Sequence, residues 1–110
     1  MLGKIFSTLK IYNMEISIKA NHFEMAEKLE AFTNKKLEKL ARRFDNISEI
    51  NVNYKLVKPE TAMNKEAGVK ISVPNNADLF ASKTADTFEE ALDLALEAVE
   101  RQLEKIKDKA

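Results

Sequence analysis

Basic residues recur between positions 28 and 43 of this 110-residue chain at intervals that a helix would gather on one flank. At 100° per residue, Lys28, Lys35, Lys39 and Arg42 fall within about 60° of one another, with Lys36 and Arg43 alongside. Glu27, Glu38 and Asp45 collect roughly 80° to one side on the same construction. Farther on, Arg101 and Lys105 are four apart and share one edge of a second helical stretch whose outer face is otherwise mostly acidic. Cations placed in this way can hold phosphates by charge and by guanidinium forks, with an affinity that falls as salt rises. If the two helices lie side by side, their basic edges form one groove. The same pattern equally suits two solvated helices whose lysines pair with nearby glutamates.

Other residue types offer little for catalysis. His22, the only histidine, stands at a strand-to-helix junction without a cysteine, serine or acidic dyad that the sequence places beside it, and general acid-base work needs a positioned partner. Neighbouring acids such as Glu89 and Glu90, or Glu97 and Glu100, usually face solvent on a helix. Cysteine is absent, which excludes disulfides and thiolate metal sites, and a lone histidine cannot build a zinc site. Gly3 and Gly68 are the only glycines, too few for a nucleotide-binding loop. No enzyme activity, metal, cofactor or small-molecule substrate is expected. Tyr54 and Phe80 can stack on bases, but aromatics in strands more often belong to the core, and both are read as structural.

The elements that must position the cations follow from hydrophobic period. Tyr12, Met14, Ile16, Ile18 and Ala20 alternate with polar Glu15, Ser17 and Lys19, the mark of a half-buried strand. From about Phe23 to Phe44, Met25, Leu29, Phe32, Leu37, Leu40, Ala41 and Phe44 recur at helical spacings with no proline or glycine between them. Ile50, Val52, Tyr54 and Leu56 form a second strand, closed by Val57 to Pro59. Lys58 to Gly68 reads as a polar loop. Val69, Ile71 and Val73, a turn at Pro74, Asn75 and Asn76, and a last short strand near Leu79 to Lys83 make a terminal hairpin. Thr87, Phe88, Glu89 and Glu90 match a capping box that opens a second helix, with the stripe Phe88, Leu92, Ala95, Val99, Leu103 and Ile106. The order is β-α-β-β-β-α. One-sided strands put both helices on the same face of a four-stranded mixed sheet, a two-layer α+β sandwich.

Composition bounds the rest. The length suits one domain, and 45% hydrophobic with 33% charged residues is ordinary for a folded chain. Residues 1–13 precede the regular pattern and are expected as an N-terminal extension, with Met14 an alternative start and 14–110 the domain. That extension lacks the long apolar region and cleavage site of a secretory signal, and no run approaches the roughly 20 apolar residues of a membrane span. A cytoplasmic protein with no membrane partner is expected. Formal charge is zero, 18 positive against 18 negative, so only charge placement speaks for a nucleic-acid partner.

In series, the segments Met14-Glu-Ile-Ser-Ile-Lys-Ala20, Val73-Pro-Asn-Asn76, Phe80-Ala-Ser-Lys83, Asp86-Thr-Phe-Glu-Glu-Ala91 and Glu100-Arg-Gln-Leu-Glu-Lys-Ile-Lys107 resemble a known family over about residues 14 to 108. It comprises the ribosome hibernation-promoting and ribosome-associated inhibitor proteins, also called sigma-54 modulation proteins. The resemblance implies the same β-α-β-β-β-α fold, similar in outline to the double-stranded-RNA-binding domain. It also implies a translation inhibitor that occupies the mRNA and tRNA (decoding) region of the small ribosomal subunit in resting or stressed cells, touching ribosomal RNA and neighbouring ribosomal proteins. By position it implicates Lys28, Lys35, Lys36, Lys39, Arg42 and Arg43, then Lys83, and Arg101, Lys105 and Lys107, as phosphate contacts that set position without reading sequence. The likeness is to the short form, a monomer off the ribosome. Members are often more basic: without Lys4 and Lys10 only 16 of the 18 positive charges remain, against 18 negative. A general structured-RNA-binding module and a protein-interaction module using the exposed sheet face are the competing expectations.

Overall fold

Alternate residues of four neighbouring strands are buried and point the same way, which leaves a single face for helices to cover. The computed structural model describes residues 4–11, 14–21, 23–57 and 62–109, with side chains for 15–21, 23–57 and 62–106. The elements are β1 (Lys4–Ile11), β2 (Met14–Asn21), α1 (Glu27–Arg43), β3 (Glu49–Leu56), β4 (Lys65–Ser72), β5 (Leu79–Ala85) and α2 (Phe88–Lys109). Strands lie in chain order, β1-β2-β3-β4-β5. β2 and β3 are parallel, with α1 as their crossover, and every other pair is antiparallel.

Register lines the buried residues into rows. Ile16 stands beside Ile50, which faces Ile71; Ile18 stands beside Val52, which faces Val69; Ala20 stands beside Tyr54, which faces Ala67. All nine are 0–1% exposed. α1 adds Leu29, Leu37, Leu40 and Ala41, and α2 adds Ala91, Leu92, Ala95, Val99 and Leu103. The opposite face carries Ser17, Lys19, Asn51, Asn53 and Lys70 and is covered by no helix of the described residues.

The expected β-α-β-β-β-α sandwich is therefore present, with one addition. Residues Lys4–Ile11, expected only as an extension, form a fifth strand at the sheet edge, paired with β2 along its whole length from Lys4↔Asn21 to Ile11↔Met14. Tyr12, His22 and the Lys58 to Thr61 stretch lie outside the described residues. The expected loop is shorter at its far end, because Lys65 to Gly68 pair with β3 and belong to β4. Pairing with a formed neighbour outweighs their weak strand propensity. β5 likewise runs two residues past Lys83, and α1 starts at Glu27, later than its apolar stripe suggested.

Helix ends explain part of this. Ala26 is the N-cap of α1 in an extended conformation and supplies no side-chain bond, so the acids Glu27 and Glu30 in the first turn are what suits the dipole there. α2 has the threonine half of its capping box: the Glu90 N–H donates to the Thr87 hydroxyl at 3.1 Å. No helix of the described residues is long and apolar enough to cross a membrane.

At the centre, one polar pair is buried. The Thr33 hydroxyl donates to the Leu29 carbonyl at 2.7 Å, and its oxygen lies 2.6 Å from the Tyr54 hydroxyl. A threonine has one hydroxyl hydrogen, so Tyr54 is the donor in the second bond. Phe88 meets the Tyr54 ring edge-on at 5.2 Å and stacks on Phe23 at 4.6 Å, tying β3, α2 and the entry to α1 together. Burial pushes the Tyr54 phenol well above its ordinary value, and the charges of Glu89 and Asp93 push the same way. Replacing Tyr54 by Phe is expected to cost about 0.5–1.5 kcal/mol near neutral pH, the net worth of one hydrogen bond. An unfolded tyrosine ionises near pH 10 and the buried one resists, so wild type alone loses stability above that pH, by about 1.4 kcal/mol per unit. Denaturant melts between about pH 8 and 11 check this: the gap between wild type and Tyr54→Phe should close as pH rises, and a constant gap contradicts the assignment.

Candidate nucleic-acid interface

The stripe that buries α1 also decides where its cations go. Leu29, Thr33, Leu37 and Leu40 face the sheet, so the opposite flank, with Lys28, Lys35, Lys39 and Arg42, points straight out to solvent. All four are exposed. Lys28, Lys35 and Lys39 make no ion pair among the described residues, while Arg42 meets Glu38 one turn back at 3.7 Å with 65% of its side chain exposed. An exposed pair of that kind is worth little and yields readily to a phosphate.

Lys36 and Arg43 have another occupation. Lys36 reaches Asp93 of α2 at 3.1 Å and lies 5.3 Å from the Phe32 ring centre. Arg43 spreads its guanidinium between two acids of α2, Glu100 at 3.2 Å and Glu104, while sitting over the Phe44 ring. These two cations fasten the seam between the helices.

The expected single groove of merged basic edges does not form. Turning around α2 from the seam toward β5 at 100° per residue, the order is Glu100, Glu104, Glu97, Arg101, Lys105, Gln102. The two ends are anchored: Glu100 and Glu104 hold Arg43 of α1, and the Gln102 amide donates to the Phe80 carbonyl of β5 at 3.3 Å. A notch of about 360 Å³ between the helices is lined by Lys36, Lys39, Asp93, Leu96, Glu97 and Glu100, more acidic than basic. Arg101, itself 3.4 Å from Glu97, and Lys105 therefore lie beyond an acidic row, on the flank of α2 turned toward β5. Lys83 is exposed on β5, in step with buried Ala81 and Ala85 and hence on the helix side of that edge strand. Lys107 is in the last turns of α2, and its side chain lies outside the described residues.

The candidate cations thus divide into an outward ridge on α1, a seam pair, and a second basic edge where α2 meets β5. The physical reason is that α2 is amphipathic in charge as well as in hydropathy, and its acidic side is the one that α1 attracts. Sequence reasoning also misplaced Phe80. It is 60% exposed on the open sheet face, although Tyr54 is fully buried as expected. The signal that finds it is parity: Ala81 and Ala85 are the small residues that let α2 approach β5, so Phe80 between them faces away.

Comparison with known proteins gives a consistent result. Residues 16–110 match the family model described as Sigma 54 modulation protein / S30EA ribosomal protein. The chain is 30% identical over 96 residues to the ribosome hibernation promoting factor of Escherichia coli K12, covering 87% of this chain and 96% of that protein, and to its counterpart from Shigella flexneri at the same level. Among solved structures it is similar to a ribosomal subunit interface protein from Coxiella burnetii, with TM-score 0.70 and 22% identity over 81% of this chain and 92% of that one. The Thermus thermophilus Protein Y N-terminal domain is similar with TM-score 0.65 and 18% identity over 83% and 93%. These two likenesses speak to fold.

The seam makes a measurable prediction. Side chains of Arg43 and Glu104 are about half exposed, so a double-mutant cycle of Arg43→Met and Glu104→Gln should give a coupling below about 1 kcal/mol. Denaturant melts should show that coupling shrinking further in molar salt; a coupling several times larger means that the pair is effectively buried.

Proposed function

The chain belongs to the Sigma 54 modulation protein / S30EA ribosomal protein family, and from that premise we propose that it silences ribosomes by occupying RNA-binding space on the small subunit. In this reading it works in the cytoplasm of resting or stressed cells, lies where messenger and transfer RNA would otherwise pass, and inhibits translation by occlusion without catalysing a reaction. Ribosomal RNA and neighbouring ribosomal proteins are its partners, and it is a monomer away from the ribosome.

The observation that carries the proposal is the ridge on α1. Lys28, Lys35, Lys39 and Arg42 stand together on a flank that packing has turned outward, and cations so placed suit a row of phosphates more than they suit this chain's own acids. The acids of α2 are in part committed to the seam, where Asp93, Glu100 and Glu104 already hold Lys36 and Arg43. Contacts from side chains of this kind position a protein on folded RNA and read little sequence. Lys83, Arg101 and Lys105 belong to a second contact in this proposal, on the β5 side of α2, so the domain is gripped from two directions. The names of the similar proteins support the ribosomal destination, and the ridge supports the means of holding on.

Co-sedimentation with purified small subunits tests the reading. Binding should weaken steeply with salt, with a log-log slope of about 0.7–0.9 per phosphate contacted. Lys35→Glu combined with Lys39→Glu should abolish it while the protein stays folded. Leu29→Ala is the contrasting control: removing that buried side chain should cost about 2–5 kcal/mol and lose binding only through unfolding. Sedimentation indifferent to both salt and charge reversal contradicts the mechanism. Equal competition by an unrelated duplex RNA assigns the chain to structured RNA in general.

A further inference from the structure

Among the residues whose side chains are described, the sheet face turned away from the helices is polar except for one ring. Phe80 is the most exposed large apolar side chain among the described residues, at 60%. Its register partner on β4 is Lys70, and it leans diagonally over Gly68: a Cβ built there would lie 3.6 Å from Phe80 Cζ and 3.7 Å from Cε1, ordinary contact. The ring is thus steadied from below by β4 and left open above.

What surrounds the ring has a definite character. Asn51 lies beside Lys70, and Asn53 beside Gly68. Lys19 is the register neighbour of Asn53, and Lys55 lies one step farther along β3 on the same face. Three lysines, Lys19, Lys55 and Lys70, therefore share this part of the face with two carboxylates, that of Glu66, which accepts a hydrogen bond from the Ser82 hydroxyl at 2.9 Å, and that of Asp78. Two further acids, Glu15 and Glu49, stand side by side one same-face step beyond Ser17 and Asn51. Asp78 meets Lys70 at 3.5 Å, with both side chains about half exposed, a pair that a stronger anion displaces.

A single ring among amides and amines is too small an apolar patch to seat a protein helix or a lipid surface. It matches the parts of an unpaired nucleotide: a flat base for the ring, polar base edges for the amides and a phosphate for the amines. We infer that the open face of the sheet around Phe80 binds single-stranded RNA, with a base stacked on Phe80, Asn51 and Asn53 toward base edges, and Lys19, Lys55 and Lys70 toward phosphates. This surface lies on the far side of the sheet from the α1 ridge, so a folded RNA on the helices and an unpaired strand on the sheet are held at the same time.

The test uses the full chain and two probes, an unstructured ten-nucleotide RNA and an RNA duplex of the same length. In ¹⁵N-labelled protein the single strand should move the amide signals of Asn51, Asn53, Lys70 and Phe80. Phe80→Leu, which still covers Gly68, should weaken single-strand affinity roughly five- to hundred-fold by fluorescence anisotropy, and Phe80→Trp should restore it. Melting curves accompany each variant; if Phe80→Leu lowers the melting temperature, the tryptophan variant decides. Lys35→Glu with Lys39→Glu should leave single-strand binding within a few-fold of wild type, which separates this face from the α1 ridge. Signals that move only on α1, or a Phe80→Leu protein that binds like wild type, overturn the inference.

Discussion

Both helices of this protein are confined to one side of the sheet, because only one side of each inner strand is apolar. Rows such as Ile18, Val52 and Val69 have nowhere to bury except beneath α1 and α2. Two helices on one face must lie next to each other, and that adjacency turns the sequence of each into a surface. What α1 shows to solvent is whatever lies opposite Leu29, Leu37 and Leu40, and that is its basic flank. What the helices show to one another is set by the residues beside their buried stripes, which are Lys36 and Arg43 on one and Asp93, Glu100 and Glu104 on the other.

The consequence is a chain with no formal charge that is nevertheless polar in its layout. One helix is basic outside, its neighbour is acidic, and a second basic edge appears beyond. At distances well past the Debye length, about 10 Å at 0.1 M salt, these fields largely cancel, so the protein has little long-range pull on a polyanion. In the proposed function, phosphate is held in contact, and from particular directions. Orientation is then part of recognition: a duplex brought against α2 meets Glu97 and its neighbours, whereas the same duplex on α1 meets Lys35 and Lys39. That distinguishes this domain from a uniformly basic one, for which any approach would serve.

The buried polar pair and the open face show two ways in which the sheet departs from simple alternation. Tyr54 sits in a core row with its hydroxyl satisfied by Thr33, so a tyrosine serves where an aliphatic side chain would leave the interior less specified. Phe80 sits on the solvent side, where an aromatic beside Gly68 covers exposed backbone and leaves a ring in the open. β1 adds a further layer of edge protection to β2, and it lies outside residues 16–110 that match the family model.

Much of this was legible in the chain itself. Period two marked β2, β3, β4 and β5, period 3.6 marked both helices, and Thr87 announced the start of α2, because each of these signals is local and is written in neighbouring residues. The basic flank of α1 was legible for the same reason, since a helix wheel needs only spacing. Which flank of α2 turns toward α1 was not, and so Arg101 and Lys105 were placed in a groove that an acidic row occupies. Nor did the pattern reveal that Lys4–Ile11 would find an edge to pair with, that Lys65 to Gly68 would extend β4, or that Phe80 would stand over Gly68. Each of those depends on residues far apart in the chain meeting in space, and a meeting of that kind is decided by how whole elements pack, not by the composition of any one of them.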